Sequence, residues 1–205
     1  MSTKSLTFIT PNGWKHEEVR RLLASVDVHW SRVALPSPSG LSLEDTARAR
    51  AAAGFALLGA PCFVENTELF VETEEHGLSS GMRGGSAKRL LEGLGEEGFC
   101  GQFAGLAASA RIVVALALGP HAKDATVFEG NLDGSIALTP KGEDGYGWDR
   151  VFVPEGFVRT LSELGTAKHL VNMRAAPYLD LADHVLGRSF GGSFEAHVTL
   201  SLIHI

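Results

Sequence analysis

The chain has 205 residues, of which 44% are hydrophobic and 20% are charged, and its formal net charge at pH 7 is −6. This length and apolar fraction are sufficient for one large domain with a sizeable buried core. The negative charge and the lack of a basic block argue against broad binding to nucleic acid or to anionic membranes, which depends on clustered cations.

The predicted elements alternate between strands and helices along the chain. Short apolar runs predict strands at 6–9, 27–33, 61–64, 112–118, 126–130, 135–138 and 151–153. Helices are predicted at 15–23, 43–58, 87–94 and 176–186. A connection at 131–134 is expected to separate two antiparallel strands, because Asn131 and Gly134 favour a turn. This pattern predicts an α/β fold with a long mixed central sheet and flanking helices.

The first predicted strand leads into a tight turn and a helix start at 10–15, with the sequence T-P-N-G-W-K. The first turn of a helix presents unpaired N–H groups to anions, and Thr10, Asn12 and Lys15 add a hydroxyl, an amide and an ammonium group there. The segment therefore suggests a phosphate site. The alternative is that Asn12 or Thr10 only caps the helix and that Lys15 is solvated.

A second segment, G-Y-G-W-D at 145–149, places two aromatic rings and a carboxylate on a glycine-rich turn. Gly147 lets the backbone approach a ligand closely, Tyr146 and Trp148 offer stacking faces, and Asp149 accepts hydrogen bonds from ring N–H groups. These properties suit a nucleobase. The alternative is an ordinary connection between strands that buries its aromatic residues.

Two cations, Lys168 and Arg174, flank the start of the last predicted helix. A lysine offers a point charge to a phosphate or a carbonyl group, whereas the arginine fork binds two acceptors together. Either side chain is also compatible with plain surface charge.

The order and spacing of these segments resemble those of the inosine triphosphate pyrophosphatases, which cleave deaminated purine nucleoside triphosphates to monophosphate and pyrophosphate. The matching motifs are T-x-N-x-x-K at 10–15, V-E-x-T at 64–67, G-(F/Y)-G-W-D at 145–149, T-x-x-E-(L/M) at 160–164 and K-x-x-x-x-x-R at 168–174. The resemblance covers about residues 6–186 and implies two lobes around a nucleotide cleft, often in a homodimer.

The resemblance also implies which residues contact the purine nucleoside triphosphate. The substrate-binding residues would be Thr10, Asn12, Lys15, Thr67, Lys88, Tyr146, Gly147, Trp148, Asp149, Lys168, Met173 and Arg174. The residues of the first motif, with Lys88, would hold the triphosphate, and the turn at 145–149 would receive the base. Lys168 and Arg174 would close over the nucleotide.

Two departures from the family pattern affect the expected Mg²⁺ site. Ser37 stands where the family carries a metal-binding glutamate, and Asn66 stands where it carries a carboxylate credited with metal binding or water activation. An amide cannot act as a general base. We therefore expect Glu65, at the end of a buried strand, and Glu44 to hold Mg²⁺, and we assign catalysis to Glu65 and the altered position Asn66. Glu44 is also compatible with an ordinary role in the first turn of a helix.

Two further departures affect substrate contacts. Met173 replaces a histidine expected at the 6-oxo group of the base, and it offers only soft apolar contact. A lysine expected on the second helix is missing, with Ala49 in its place and Arg48 and Arg50 beside it. Two hypotheses follow: a magnesium-dependent pyrophosphatase with altered base preference, or a catalytically impaired nucleotide-binding protein of the same fold.

We interpret residues 1–199 as a single domain, because nothing in the composition demands a second one. Residues 200–205 resemble the translation of a sequencing adapter and are interpreted as an artefactual tail, with an edge strand as the alternative. Cys62 and Cys100 lack the spacing of metal ligands and are expected to be reduced thiols. We expect a cytoplasmic protein without a membrane partner, because no apolar run is long enough to span a bilayer.

Overall fold

The structure, a computed structural model, describes residues 5–75, 78–82 and 85–188. The expected tail at 200–205 lies outside the described residues. The strands are β1 Ser5–Ile9, β2 Asp27–Ser31, β3 Cys62–Glu75, β4 Leu78–Met82, β5 Ala107–Ala117, β6 Thr126–Ile136 and β7 Phe152–Pro154. The α-helices are α1 Gly13–Leu22, α2 Leu43–Leu58, α3 Gly85–Phe103, α4 Lys168–Val171 and α5 Ala175–Leu186.

These strands form one seven-stranded sheet in the order β2-β1-β3-β5-β6-β7, with β4 paired to β3. β1 runs parallel to β2 and β3, whereas the other neighbouring pairs are antiparallel. The predicted fold class, a mixed central sheet with flanking helices, is confirmed.

The sheet has two hydrophobic faces, each covered by different helices. The larger cluster joins Phe8 and Phe63, whose rings stack at 4.8 Å, to residues of α1, α3 and α5. The smaller cluster packs Ala47 and Ala51 of α2 against the opposite face. α2 lies close to the sheet at Gly54, where an added Cβ would be 2.5 Å from a methyl group of Ile9.

Both cysteines are buried free thiols, and burial raises the pKa of Cys62 to about 11. No helix within the described ranges combines the length and the apolar character that crossing a membrane requires.

β6 corrects the predicted turn at 131–134, which lies inside a continuous strand. Its residues pair with β5 throughout, from Leu116 opposite Thr126 to Ala107 opposite Ser135. Asn and Gly suggested a turn, but Gly134 is required for packing, since an added Cβ would lie 2.2 Å from the carbonyl oxygen of Val153. The glycine therefore marks a close backbone approach rather than a chain reversal.

β3 is much longer than the predicted strand at 61–64, and its extension creates an open edge beside β1. β1 pairs with β3 only at Cys62 and Phe63, and β4 pairs with it from Val71 onward. Between these points, β3 has no described strand on that side. Along this open edge Asn66 and Thr67 are half-buried, and successive β3 residues face alternate sides of the sheet.

α3 extends beyond the predicted helix at 87–94 and is kinked at Gly95, where φ is 69° and ψ is 170°. The predicted end of the helix coincides with this kink. A left-handed φ suits glycine, which lacks a Cβ. The kink places Gly95 against the cavity beside β3.

Candidate active site

A cleft of about 720 Å³ lies along the open edge of β3. Ligand pockets for small molecules typically have volumes of about 300–1,000 Å³, so the cleft is large enough for a nucleotide. The residues predicted from the sequence that line it are Lys15, Glu65, Asn66, Thr67, Lys88, Tyr146, Gly147, Trp148, Asp149 and Arg174. The cleft is therefore lined by residues from near both ends of the chain and by the 145–149 turn.

Glu65 is the central buried group of this cleft. Its Oε1 accepts a hydrogen bond from Arg174 Nη2 at 2.8 Å and contacts Lys15 Nζ at 3.0 Å. Its Oε2 accepts hydrogen bonds from Arg174 Nε at 3.1 Å and from Tyr178 Oη at 2.8 Å. These four contacts use the roughly four lone-pair positions of a carboxylate. Glu65 therefore acts here as an anchor for two cations.

Charge coupling fixes the ionisation of this cluster. Burial disfavours the charged form of Glu65, but the Arg174 guanidinium and the Lys15 ammonium outweigh it and hold the carboxyl pKa well below its usual value. Burial lowers the pKa of Lys15, although Glu65 opposes that shift. Burial also works against the charge on Arg174, yet Glu65 and Glu18 together raise its pKa.

Glu18, on α1, is a second buried carboxylate, and it positions the cations Lys168 and Arg174. It accepts a hydrogen bond from Asn172 Nδ2 at 2.7 Å and contacts Arg174 Nη1 at 3.2 Å. Lys168 Nζ lies 3.9 Å from the same carboxylate. Arg174 is therefore braced between Glu18 and Glu65, with little freedom to swing over a ligand.

The opposite end of the cleft is built by the 145–149 turn. Asp149 Oδ2 accepts hydrogen bonds from the backbone N–H of Tyr146 at 2.8 Å and from Lys168 Nζ at 2.6 Å. Gly147 has a φ of 68°, which a glycine adopts without strain. Only 8% of the Trp148 surface is exposed, so its ring is held by its neighbours where it lines the cleft.

Several predicted contact residues lie outside the cleft. Asn12 Oδ1 accepts hydrogen bonds from the N–H groups of Trp14 and Lys15, so it caps α1, and Thr10 Oγ1 accepts one from the N–H of Asn12. Met173 is buried in the larger hydrophobic cluster and does not line the cleft. Lys168 lines a neighbouring cavity that shares Tyr146 with the cleft.

The structure does not bring the two expected metal ligands together. Glu65 lines the cleft, whereas Glu44 lines a separate cavity of about 750 Å³ and accepts a hydrogen bond from Arg48 at 2.8 Å. Within the described ranges, no group of three or more His, Cys, Asp or Glu side chains is arranged to hold a metal ion.

The carboxylates that line the cleft each contact a cation. The pairs are Glu65 with Lys15 and Arg174, Glu92 with Lys88, Glu96 with Arg150, and Asp149 with Lys168. Hard carboxylate oxygens are the ligands that Mg²⁺ prefers in proteins. As arranged here, the described side chains of the cleft do not fit a preformed Mg²⁺ site.

Sequence reasoning assigned no role to Glu18, Tyr178 or Arg50. Arg50 extends from α2 into the cleft, where its Nη1 contacts Asn66 Oδ1 and, at 3.4 Å, the backbone oxygen of Glu65. Arg50 lies four residues after Thr46, whose burial on α2 the structure shows but the sequence alone does not reveal.

Comparison with known proteins gives a consistent match over most of the chain. The model of the Ham1 family matches residues 6–183. An inosine triphosphate pyrophosphatase of Yarrowia lipolytica is 31% identical over 165 residues, covering 78% of this chain and 84% of that protein. A dITP/XTP pyrophosphatase of Ignicoccus hospitalis is 30% identical over 192 residues, covering 91% of this chain and all of the other.

Solved structures share the fold. A HAM1 protein from Coxiella burnetii superposes with a TM-score of 0.67 at 18% identity, covering 89% of this chain and 98% of that one. The Staphylococcus aureus Ham1 protein has a TM-score of 0.63, also at 18% identity, over 90% and 99% of the two chains.

Proposed function

The chain belongs to the Ham1 family, and on that premise we propose that it hydrolyses deaminated purine nucleoside triphosphates to the monophosphate and pyrophosphate. The named relatives are inosine triphosphate and dITP/XTP pyrophosphatases. The single observation that supports this most is the convergence of Lys15, Trp148 and Arg174 on one cleft.

The phosphate end of the cleft supports a polyanionic ligand. Lys15, Arg50, Lys88 and Arg174 all line it, so four cations surround the space where a triphosphate would lie. Phosphoryl transfer depends mainly on charge neutralisation and on positioning of the attacking water. Glu65 holds Lys15 and Arg174 in place, which favours a cation array that is formed before the ligand arrives.

The base end supports recognition of a 6-oxopurine, a class that includes the deaminated purines and guanine. Such a base presents a ring N–H beside a 6-oxo group. Asp149, in the cleft, offers a carboxylate that accepts a hydrogen bond, and Lys168, which contacts Asp149 at 2.6 Å from the neighbouring cavity, offers an ammonium that donates one. Adenine presents the reverse pattern at the same edge, an acceptor nitrogen beside an amino group, and would leave both charged groups mismatched.

Magnesium dependence is also part of the proposal. Because the cleft carboxylates contact cations, we assign no protein side chain to Mg²⁺. The proposal takes the metal to enter bound to the phosphates of the substrate.

The proposal also includes a cytoplasmic location, a homodimer and the lack of nucleic-acid or membrane partners. Light scattering of the purified protein tests the dimer, since a mass of one chain at micromolar concentration would contradict it.

The alternative is a protein that binds nucleotides without turnover, and the amide of Asn66 beside Arg50 favours it. A panel of dITP, XTP, dATP and dGTP with Mg²⁺ separates the two functions. The pyrophosphatase releases pyrophosphate and monophosphate, fastest with dITP or XTP. If calorimetry shows saturable binding of a triphosphate while no member of the panel is cleaved, the impaired binding protein is the correct function.

A further inference from the structure

Arg50 differs from the other cations of the cleft in its partners. Lys15 and Arg174 contact Glu65, and Lys88 contacts Glu92 at 3.7 Å. Within the described part of the chain, Arg50 contacts only oxygens without formal charge, and its buried Nε has no hydrogen-bond partner. Arg50 is half-buried and forms no ion pair within the described part of the chain, a costly arrangement that suits this position to an anionic ligand.

The contact with Arg50 determines the orientation of the Asn66 amide. An arginine side chain has only hydrogen-bond donors, so the group that faces it must be the acceptor Oδ1 of Asn66. What Asn66 then offers to a ligand in the cleft is its Nδ2 amide, which is a donor. The cation beside Oδ1 also opposes the approach of a divalent metal ion to that oxygen.

The location of Arg50 and Asn66 in the cleft determines which part of a ligand they would contact. Asn66 and Glu65 are consecutive in β3 and therefore face opposite sides of the sheet, toward α2 and α5 respectively. Both line the cleft at the open edge of the strand. Arg50 and Asn66 thus add donors from the α2 side, facing the cations Lys15 and Arg174 on the other side.

We propose that Arg50 and the Asn66 amide form a donor pair that binds the triphosphate oxygens directly, so that triphosphate binding does not require a divalent metal. This inference rests on the proposed function only for the identity of the ligand. Arg50 neutralises phosphate charge beside Asn66, at the position where a carboxylate would otherwise bind a metal ion. Binding and turnover therefore differ in their metal requirement.

The test is calorimetric binding of inorganic triphosphate and of ITP to the full chain, with EDTA and with Mg²⁺. We expect dissociation constants in EDTA within about threefold of those in Mg²⁺. Arg50→Gln should weaken binding of both ligands in EDTA by about tenfold or more, which is typical of lost charge-assisted hydrogen bonds. Arg50→Lys should lose less, because it keeps the charge but not the fork.

Arg48→Gln is the matched control, since Arg48 lies on the same helix, contacts Glu44 and does not line the cleft. Its triphosphate affinity should equal that of the wild type. Binding of triphosphate only when Mg²⁺ is present would overturn the inference, as would equal affinities for Arg50→Gln and Arg48→Gln. The comparison of EDTA with Mg²⁺ uses the wild-type protein and tests metal-free binding, and Arg50→Lys tests the contribution of Arg50 if Arg50→Gln does not fold.

Failure of the inference is distinguishable from failure of the proposed function. Metal-free binding that depends on Arg50, without pyrophosphate release from any triphosphate, would uphold the donor pair and reject the enzyme. Cleavage of ITP combined with binding that strictly requires Mg²⁺ would uphold the enzyme and reject the donor pair.

Discussion

Replacing Glu65 by glutamine is expected to destabilise the protein, because the charge that holds two buried cations together is removed. The Glu65 side chain has no exposed surface, and it contacts Lys15 and Arg174 at 3.0 and 2.8 Å. Breaking a buried ion pair by removing one partner typically costs about 3–5 kcal/mol. Because Arg174 keeps its second contact, with Glu18 at 3.2 Å, we expect the lower end of that range, about 3 kcal/mol.

Urea denaturation of the wild type and of Glu65→Gln measures this loss directly. In thermal denaturation, the same change should lower Tm by about 6–12 °C, given about 2–4 °C per kcal/mol for a chain of this size. Glu68→Gln is the control, since Glu68 lies on the same strand and lines the other cavity. We expect it to change stability by less than about 0.5 kcal/mol. A loss for Glu65→Gln below about 1 kcal/mol would refute the anchoring role of Glu65.

Three further predictions concern the base, the altered acid position and pH. Asp149→Ala should weaken purine nucleoside triphosphate binding and leave inorganic triphosphate binding nearly intact, and equal losses in calorimetry would count against the base-site assignment. Asn66→Asp should raise magnesium-dependent pyrophosphate release by supplying a carboxylate, whereas an unchanged or lower rate would mean that another group has that role. Because Arg174 and Lys15 outweigh burial and depress the pKa of Glu65, its stabilisation is complete above about pH 4.3, the usual glutamate pKa, and is lost as pH falls. Denaturation below that pH should show a shallower decline for Glu65→Gln, and identical slopes would be inconsistent with this linkage.

Elements whose signals are local were predicted well from the sequence. α2 was predicted at 43–58 and lies there, because Ser42 caps its start and Gly59 adopts the left-handed conformation at its end. The lengths of β3 and β6 were wrong for a physical reason. Both strands are extended by pairing with β5, a distant partner that no local pattern reveals.

The same distinction between local and distant signals applies to the cleft. The motif at 145–149 was identified because its aromatic rings, glycines and carboxylate are contiguous. Glu18 and Tyr178 were missed, because their importance depends on partners such as Asn172 and Glu65, which lie more than a hundred residues away in the sequence. Glu44 was chosen as a carboxylate that could lie near Glu65, and its contact with Arg48 beside a different cavity depends on how α2 packs.

The most direct measurement is a crystal structure of the protein with ITP in EDTA. We expect the base beside Trp148 and Asp149, and the phosphates between Lys15 and Arg50, within the cleft along β3. A nucleotide bound elsewhere, such as in the cavity beside Glu44, with the cleft empty, would contradict a shared nucleotide site for these distant segments.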